Sequence, residues 1–172
     1  MTRAELLAAI GWAGVADPEA RLKDIAATDE RVAAAIELGR LALLEGIQDR
    51  PIIRTPADLS ETLLALIGDR QRECFVCCWL DGGHRLIDCE TIHEGGINYA
   101  TVSARIVVTR ALAVGAVAVI LAHNHPSGAT GPSAEDRALT ETLRKAFALV
   151  EIRLLDHLLV AGGQVISFMG AP

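Results

Sequence analysis

Apolar and polar residues follow one another along this chain with two different spacings, and these spacings outline helices and strands. Apolar positions recur every three or four residues over 4–14 and 18–44, a period that predicts two amphipathic helices. Two later segments, 73–81 and 84–93, are short and rich in strand-forming residues. The two glycines between them predict a tight turn, so we expect the strands to form an antiparallel hairpin.

The rest of the chain continues this mixture of elements. Thr55 followed by Pro56 is a strong helix start, with Thr at the N-cap and Pro in the first turn. The predicted helices run from there to about 66 or 67, from Thr101 to about 114, and from Ser133 to 149, and the predicted strands cover 116–122, 152–155, 157–160 and 165–168. Helices interleaved with strands, some of them antiparallel, indicate an α/β or α+β fold of three layers.

The chain divides into two parts at a polar segment that contains a proline. We interpret 48–54 as a linker between a small helical N-terminal region, 1–47, and a larger domain, 55–172. A length of 172 residues suffices for one domain of ordinary size and a small appendage. Half of the residues are hydrophobic but only 3% are aromatic, so the core must be built from Leu, Val, Ile and Ala.

The apolar run 116–122 leads directly into the most informative stretch of the sequence. His123 and His125 stand at the predicted strand's end, where residues two apart share a face, so both imidazoles can point at one spot. A loop rich in glycine and proline follows, and Asp136 then lies in the first turn of the helix that Ser133 opens. Two imidazoles and one carboxylate form the ligand set of an open zinc site, with the fourth position left for water.

Other interpretations of these residues remain open at this point. The same ligand types also suit iron or nickel. The segment from Ser133 to Asp136 could be only a helix N-cap with an acidic first turn. His157 is more typical of a packed histidine or one that contacts a ligand from behind, and His84 is expected to be solvated. Two histidines with an aspartate across a glycine-containing loop are more specific than either feature alone, and they favour a metal site.

The composition excludes several classes of partner. A net charge of -6 and an N-terminal region in which acids outnumber bases argue against direct nucleic-acid binding. No apolar stretch reaches the roughly 18 residues of a membrane span, and the first residues do not resemble a signal peptide. We therefore expect a soluble, cytoplasmic protein. The four cysteines are expected to be buried reduced thiols, since Cys74 and Cys77 would face opposite sides of a strand.

The spacing of the three candidate ligands resembles a known pattern. His-x-His, seven residues, Ser, two residues and Asp match the JAMM motif of MPN-type metallopeptidases at every fixed position. The sequences Ile-Leu-Ala-His-Asn-His-Pro-Ser-Gly at 120–128 and Leu-Leu-Asp-His-Leu at 154–158 resemble the RadC family in particular. The resemblance runs from about Thr55 to Phe168. It implies the JAB/MPN fold, a mixed sheet flanked by helices and similar in outline to cytidine deaminases.

The resemblance also implies roles for individual residues. JAMM proteins place their catalytic Glu where the first core strand begins, a place that Glu73 occupies here, with Glu90 and Glu94 as the alternatives. It further implies that Ser133 donates a hydrogen bond to the developing oxyanion. RadC-like proteins keep a helix-hairpin-helix module near the N-terminus. The corresponding turn at 26–30 lacks glycine and carries two acids, so we expect it to be degenerate and not to bind phosphate.

The predicted function is that of a zinc-dependent metallopeptidase or isopeptidase acting on a peptide or protein substrate. The alternative is a catalytically weak module that is associated with DNA repair or binds a protein partner. Nucleobase deamination would need His-x-Glu and Pro-Cys-x-x-Cys, which are absent from the sequence, and the ligand spacing does not fit an HNH nuclease. His93 and Asn98 could reach the site from the neighbouring loop, whereas Asn124 and Ser127 lie beside the ligands without an assigned contact.

Overall fold

A computed structural model of the chain describes residues 29–45, 51–95 and 102–170. The chain divides into two compact units, Met1–Glu45 and Gly46–Pro172. The described part of the first unit is one helix, α1 (Glu30–Glu45), at whose start the Asp29 carboxylate accepts a hydrogen bond of 2.9 Å from the backbone N–H of Arg31. The helix predicted over 4–14 and the first part of the one predicted over 18–44 lie outside the described residues.

The second unit contains the helices and strands that the sequence predicts for the larger domain. They are a 3-10 turn (Pro56–Leu59), α2 (Ser60–Ile67), β1 (Cys74–Leu80), β2 (Leu86–Glu94), α3 (Ala104–Ala113), β3 (Ala118–Asn124), α4 (Ala134–Ala148), β4 (Arg153–Ala161) and β5 (Gln164–Ser167). The strands form one mixed sheet in the order β2-β1-β3-β4-β5. Only the β3–β4 pair is parallel, and the other three pairs are antiparallel.

Two boundaries differ from the prediction. Helix α3 begins at Ala104, three residues after the predicted cap Thr101, because Ser103 is in the extended conformation and takes the N-cap position. Strand β4 is continuous where the sequence predicts two strands with a break at Asp156. A buried carboxylate is tolerated inside this strand because it accepts hydrogen bonds from the backbone N–H of His157 at 2.7 Å and from the Ser167 hydroxyl at 2.9 Å.

Helices cover both faces of the sheet, which confirms the predicted three-layer α/β architecture. On one face, side chains of β1 and β3 pack in a buried cluster with α3 and α4. On the other face, the 3-10 turn and α2 bury Leu59, Leu63 and Ile67, none of which is exposed to solvent. Every residue of β1 and of β3 is buried, as expected for strands that are covered from both sides.

The four cysteines are buried and free, as predicted. Cys77 belongs to the cluster under α3 and α4, whereas Cys78 points to the opposite face and lies opposite Cys89 on β2. The Sγ atoms of Cys78 and Cys89 are 2.9 Å apart. Within the described ranges, no helix combines the length and the apolar composition that a bilayer span requires.

Strand β3 is central to the sheet, and its packing can be tested. Leu121 is fully buried at its middle, so we expect Leu121→Ala to lower the free energy of unfolding by about 2–5 kcal/mol, through lost transfer energy and the remaining cavity. Leu149→Ala is the matched control, because Leu149 is 87% exposed and its loss should change the value by less than about 0.5 kcal/mol. Denaturant unfolding measures both, and equal effects would contradict this packing.

Candidate metal centre

The two predicted histidine ligands project from the end of β3. His123 is fully buried near the end of β3, where it pairs with Phe75 on β1 and with Leu159 on β4. His125 follows the strand, but its backbone N–H donates to the Val160 carbonyl at 3.0 Å and so extends the pairing with β4 by one step. This pairing keeps the backbone extended, and the two rings lie on the same face with Nε2 atoms 3.2 Å apart.

The third ligand is placed by the start of α4. Ser133 is the N-cap: its hydroxyl oxygen accepts from the backbone N–H of Asp136 at 3.0 Å. In return, Asp136 Oδ2 accepts from the backbone N–H of Ser133 at 2.7 Å and from its hydroxyl at 2.6 Å. This capping box fixes the carboxylate and leaves Oδ1 turned towards His123. The helix cap predicted from the sequence therefore also holds the predicted ligand Asp136 in position.

The three side chains converge, and their candidate ligand atoms, one from each residue, all lie within 4.8 Å of one another. His123 Nε2 lies 3.3 Å from Asp136 Oδ1, and His125 Nε2 lies 3.4 Å from Asp136 Oδ2, beside the 3.2 Å between the two imidazoles. Two atoms that are each about 2.1 Å from a tetrahedral ion are about 3.4 Å apart. Among the described residues, these three form a group that could hold a metal ion, and its donor set fits zinc.

Local interactions prepare Asp136 and His125 to bind an ion. Burial by itself would raise the pKa of Asp136, but the neighbouring His123 ring and the hydrogen bonds that Ser133 donates outweigh it and hold that pKa well below the ordinary value. The carboxylate is therefore ionised at neutral pH. His125 Nδ1 lies 2.9 Å from the Ala129 carbonyl, which can only accept, so Nδ1 carries the proton and Nε2 is free to bind.

Glu73 lies immediately before β1, the strand that pairs with β3. The antiparallel pairing of these two strands ends at Phe75 and His123, and Glu73 lies two residues before Phe75. Its side chain is half-buried, and its backbone carbonyl accepts from the Gly95 N–H at 2.7 Å. The register thus places Glu73 at the edge of the sheet from which the ligands project, although it is not one of the three converging residues.

Asn124 has a structural contact that the sequence did not reveal. It lies between the two histidines but points to the opposite face, where its Oδ1 accepts from the Cys74 N–H at 2.7 Å. Its amide nitrogen donates to the carbonyls of Arg70 and Arg72 at 3.3 and 3.2 Å. One buried side chain therefore holds the backbone on both sides of Glu73 against the strand that carries the ligands.

The alternative acids are placed differently. Glu90 accepts from the indole of Trp79 at 3.3 Å and forms an ion pair of 3.0 Å with Arg110. Glu94 is exposed at the end of β2, opposite Cys74. Glu90 is thus held by contacts with Trp79 and Arg110, and it is not one of the three residues that converge on the candidate site.

The remaining polar candidates that the structure describes do not join the ligand group. His84 lies at the hairpin turn, where its Nε2 is 3.0 Å from the Arg153 guanidinium. His93 is half-buried on β2, and Ser127 is exposed in the loop after His125. Asn98 lies outside the described residues. His157 is fully buried, and burial together with the neighbouring His123 lowers its pKa well below the ordinary value.

The mixed sheet, its covering helices and this ligand group define a JAB-type domain with a candidate metal site. The model of the RadC-like JAB domain matches residues 53–171, so this chain belongs to that family. It is 48% identical over 138 residues to a UPF0758 protein of Burkholderia mallei, which covers 80% of this chain and 50% of that protein. A UPF0758 protein of Halorhodospira halophila is 48% identical over 134 residues, covering 78% of this chain and 60% of the relative. The chain thus spans about half the length of the curated relatives it matches.

Metal binding at this group should stabilise the fold. A ligand that binds only the folded state at 100 times its dissociation constant adds about 2.7 kcal/mol, so zinc should raise the melting temperature of the metal-free parent. His123→Ala and Asp136→Ala should lose this response because each removes one ligand. His84→Ala, at the hairpin turn, should keep it. Thermal unfolding is measured with and without zinc. A parent protein whose melting temperature does not change with zinc would reject the site.

Proposed function

We propose that this chain is a zinc-dependent metallopeptidase or isopeptidase domain of the JAMM type. The observation that carries the proposal is the convergence of His123, His125 and Asp136, whose candidate ligand atoms, one from each residue, all lie within 4.8 Å of one another. Membership of the JAB-domain family supports it, since the ligand pattern falls within the matched residues. The substrate class is a peptide or protein amide, because a water-activating site with a carboxylate base suits hydrolysis of that bond.

In this proposal each residue has a distinct task. His123, His125 and Asp136 would hold the zinc ion, which when bound would supply an acidified water. Glu73 would act as the proton acceptor and return the proton to the leaving nitrogen as the amide bond breaks. The Asn124 amide, through the carbonyls of Arg70 and Arg72 and the N–H of Cys74, keeps the Glu73 backbone in register with the ligands.

Ser133 has two tasks that compete for one hydroxyl hydrogen. In the present arrangement, that hydrogen is donated to Asp136 Oδ2 across 2.6 Å. We propose that Ser133 first fixes the carboxylate and turns its hydroxyl to a developing oxyanion only when substrate is present. Ser133→Ala would therefore affect both the position of Asp136 and the stabilisation of the intermediate.

The second candidate is a catalytically weak module that binds a protein partner or assists DNA repair. The engagement of the Ser133 hydroxyl by Asp136 favours it, because a hydrogen donated to the carboxylate is not available to an oxyanion. The chain's net charge of -6 makes a direct DNA contact the weaker form of this candidate. A zinc-loaded parent that cleaves nothing across a broad peptide library would favour the weak module over the peptidase.

The role of Glu73 can be tested by one substitution. Glu73→Gln keeps the size of the side chain but removes the proton acceptor, so we expect cleavage of library peptides to fall by about 10²–10⁴-fold. Zinc content should stay at the parent level. Glu94→Gln is the matched control, because Glu94 is an exposed acid on the neighbouring strand and its loss should leave the rate unchanged. Mass-spectrometric analysis of the products measures the rates, and full activity in Glu73→Gln would remove Glu73 from this role.

A further inference from the structure

His157 contacts the ligand His123 from behind. It lies on β4, is fully buried, and its Nε2 is 2.9 Å from His123 Nδ1, the nitrogen that faces away from the ligand group. Its other nitrogen, Nδ1, is 2.6 Å from the hydroxyl of Thr140 on α4. The same hydroxyl lies 2.5 Å from the backbone carbonyl of Asp136, one turn earlier in that helix. These contacts form an unbroken chain from one ligand residue, Asp136, to another, His123.

The direction of every hydrogen bond in this series follows from the Asp136 carbonyl, at which the series begins. The Asp136 carbonyl can only accept, so the hydrogen in the short O–O contact belongs to Thr140. With its hydrogen used, the Thr140 oxygen can only accept, and His157 Nδ1 must be the donor. A neutral His157, as its burial requires, then has a bare Nε2 that accepts from His123 Nδ1. The proton of His123 is thereby held on Nδ1, and its Nε2 faces Asp136 without one.

The surrounding side chains protect this series of hydrogen bonds from water. The ring of Phe168 lies 4.5 Å from that of His157 and 5.9 Å from that of His123, and Phe75 contacts His157 edge-on at 5.7 Å. Thr140 is only 6% exposed. Because no solvent competes for these donors and acceptors, the protein alone decides which nitrogen of His123 carries the proton.

We propose that Thr140 and His157 form a relay that sets the tautomer of His123 and so prepares its Nε2 to bind the ion. His157 and Thr140 are positioning residues in this scheme, since neither faces the ion or the substrate. The inference rests on the metal site of the proposed function. It goes further in naming the residues that make one ligand competent and the carbonyl that sets the direction of the relay.

Substitutions that separate hydrogen bonding from packing test the relay. His157→Phe keeps a ring but removes both hydrogen bonds, and Thr140→Val keeps the branched shape but removes the hydroxyl. Each should weaken zinc binding by about 10–100-fold, the usual effect of losing a partner behind a metal ligand. His157→Gln offers one acceptor and one donor, and Thr140→Ser keeps the hydroxyl, so both should stay within a few-fold of the parent. Zinc affinity is measured by competition with a chelator.

A second measurement follows the proton itself and needs no metal. In the metal-free parent, ¹⁵N NMR of the histidines should report His123 protonated at Nδ1. Thr140→Val leaves His157 Nδ1 without an acceptor and should move the His123 signals towards the other tautomer, which a change in packing alone would not do. Unchanged tautomer and affinity in Thr140→Val and His157→Phe would overturn the relay, as would equal losses in His157→Gln and His157→Phe. A parent that binds no zinc but has the expected tautomer would reject only the proposed function.

Discussion

The pairing of β3 with both of its neighbours is the interaction on which the candidate centre depends. Strand β3 is hydrogen-bonded to β1 on one side and β4 on the other, and the His125–Val160 bond carries this pairing one residue past the strand's end. The backbone at the two histidines is therefore fixed before any ligand contact is made. A free loop could not hold two imidazoles 3.2 Å apart without a large loss of conformational entropy.

The alternation of side chains along a strand lets one tripeptide connect three parts of the domain. His123 and His125 face the side of α4, from which Asp136 approaches, whereas Asn124 faces the side of α2 and holds the segment around Glu73. A substitution at Asn124 would thus act on the proposed base without touching the ligands. The same alternation gives each of these three polar side chains its own hydrogen-bond partners.

Features that depend on residues close together in the sequence could be predicted from the sequence alone. The two-residue spacing of the histidines, the capping signature from Ser133 to Asp136 and the alternation of helices and strands each reflect neighbours in the chain. The contacts of Asn124 could not be predicted, and for His157 the sequence indicated the kind of contact but not its partner, because these contacts join residues 50 and 34 positions apart and depend on the register of β1 and β4. Strand β4 was divided wrongly for the same reason, since the hydroxyl that satisfies Asp156 is on β5.

The hydrogen bonds around the ligand group favour positive charge at its centre. With protons held on Nδ1 of both histidines, His123 Nε2, His125 Nε2 and the Asp136 carboxylate all present lone pairs to one another within 3.4 Å. Three such atoms repel unless positive charge lies between them, and a proton can bridge only two of them at a time. A divalent cation satisfies all three at once and offsets the buried carboxylate. The network behind the ligands therefore adds to the preference for a cation that the three side chains create.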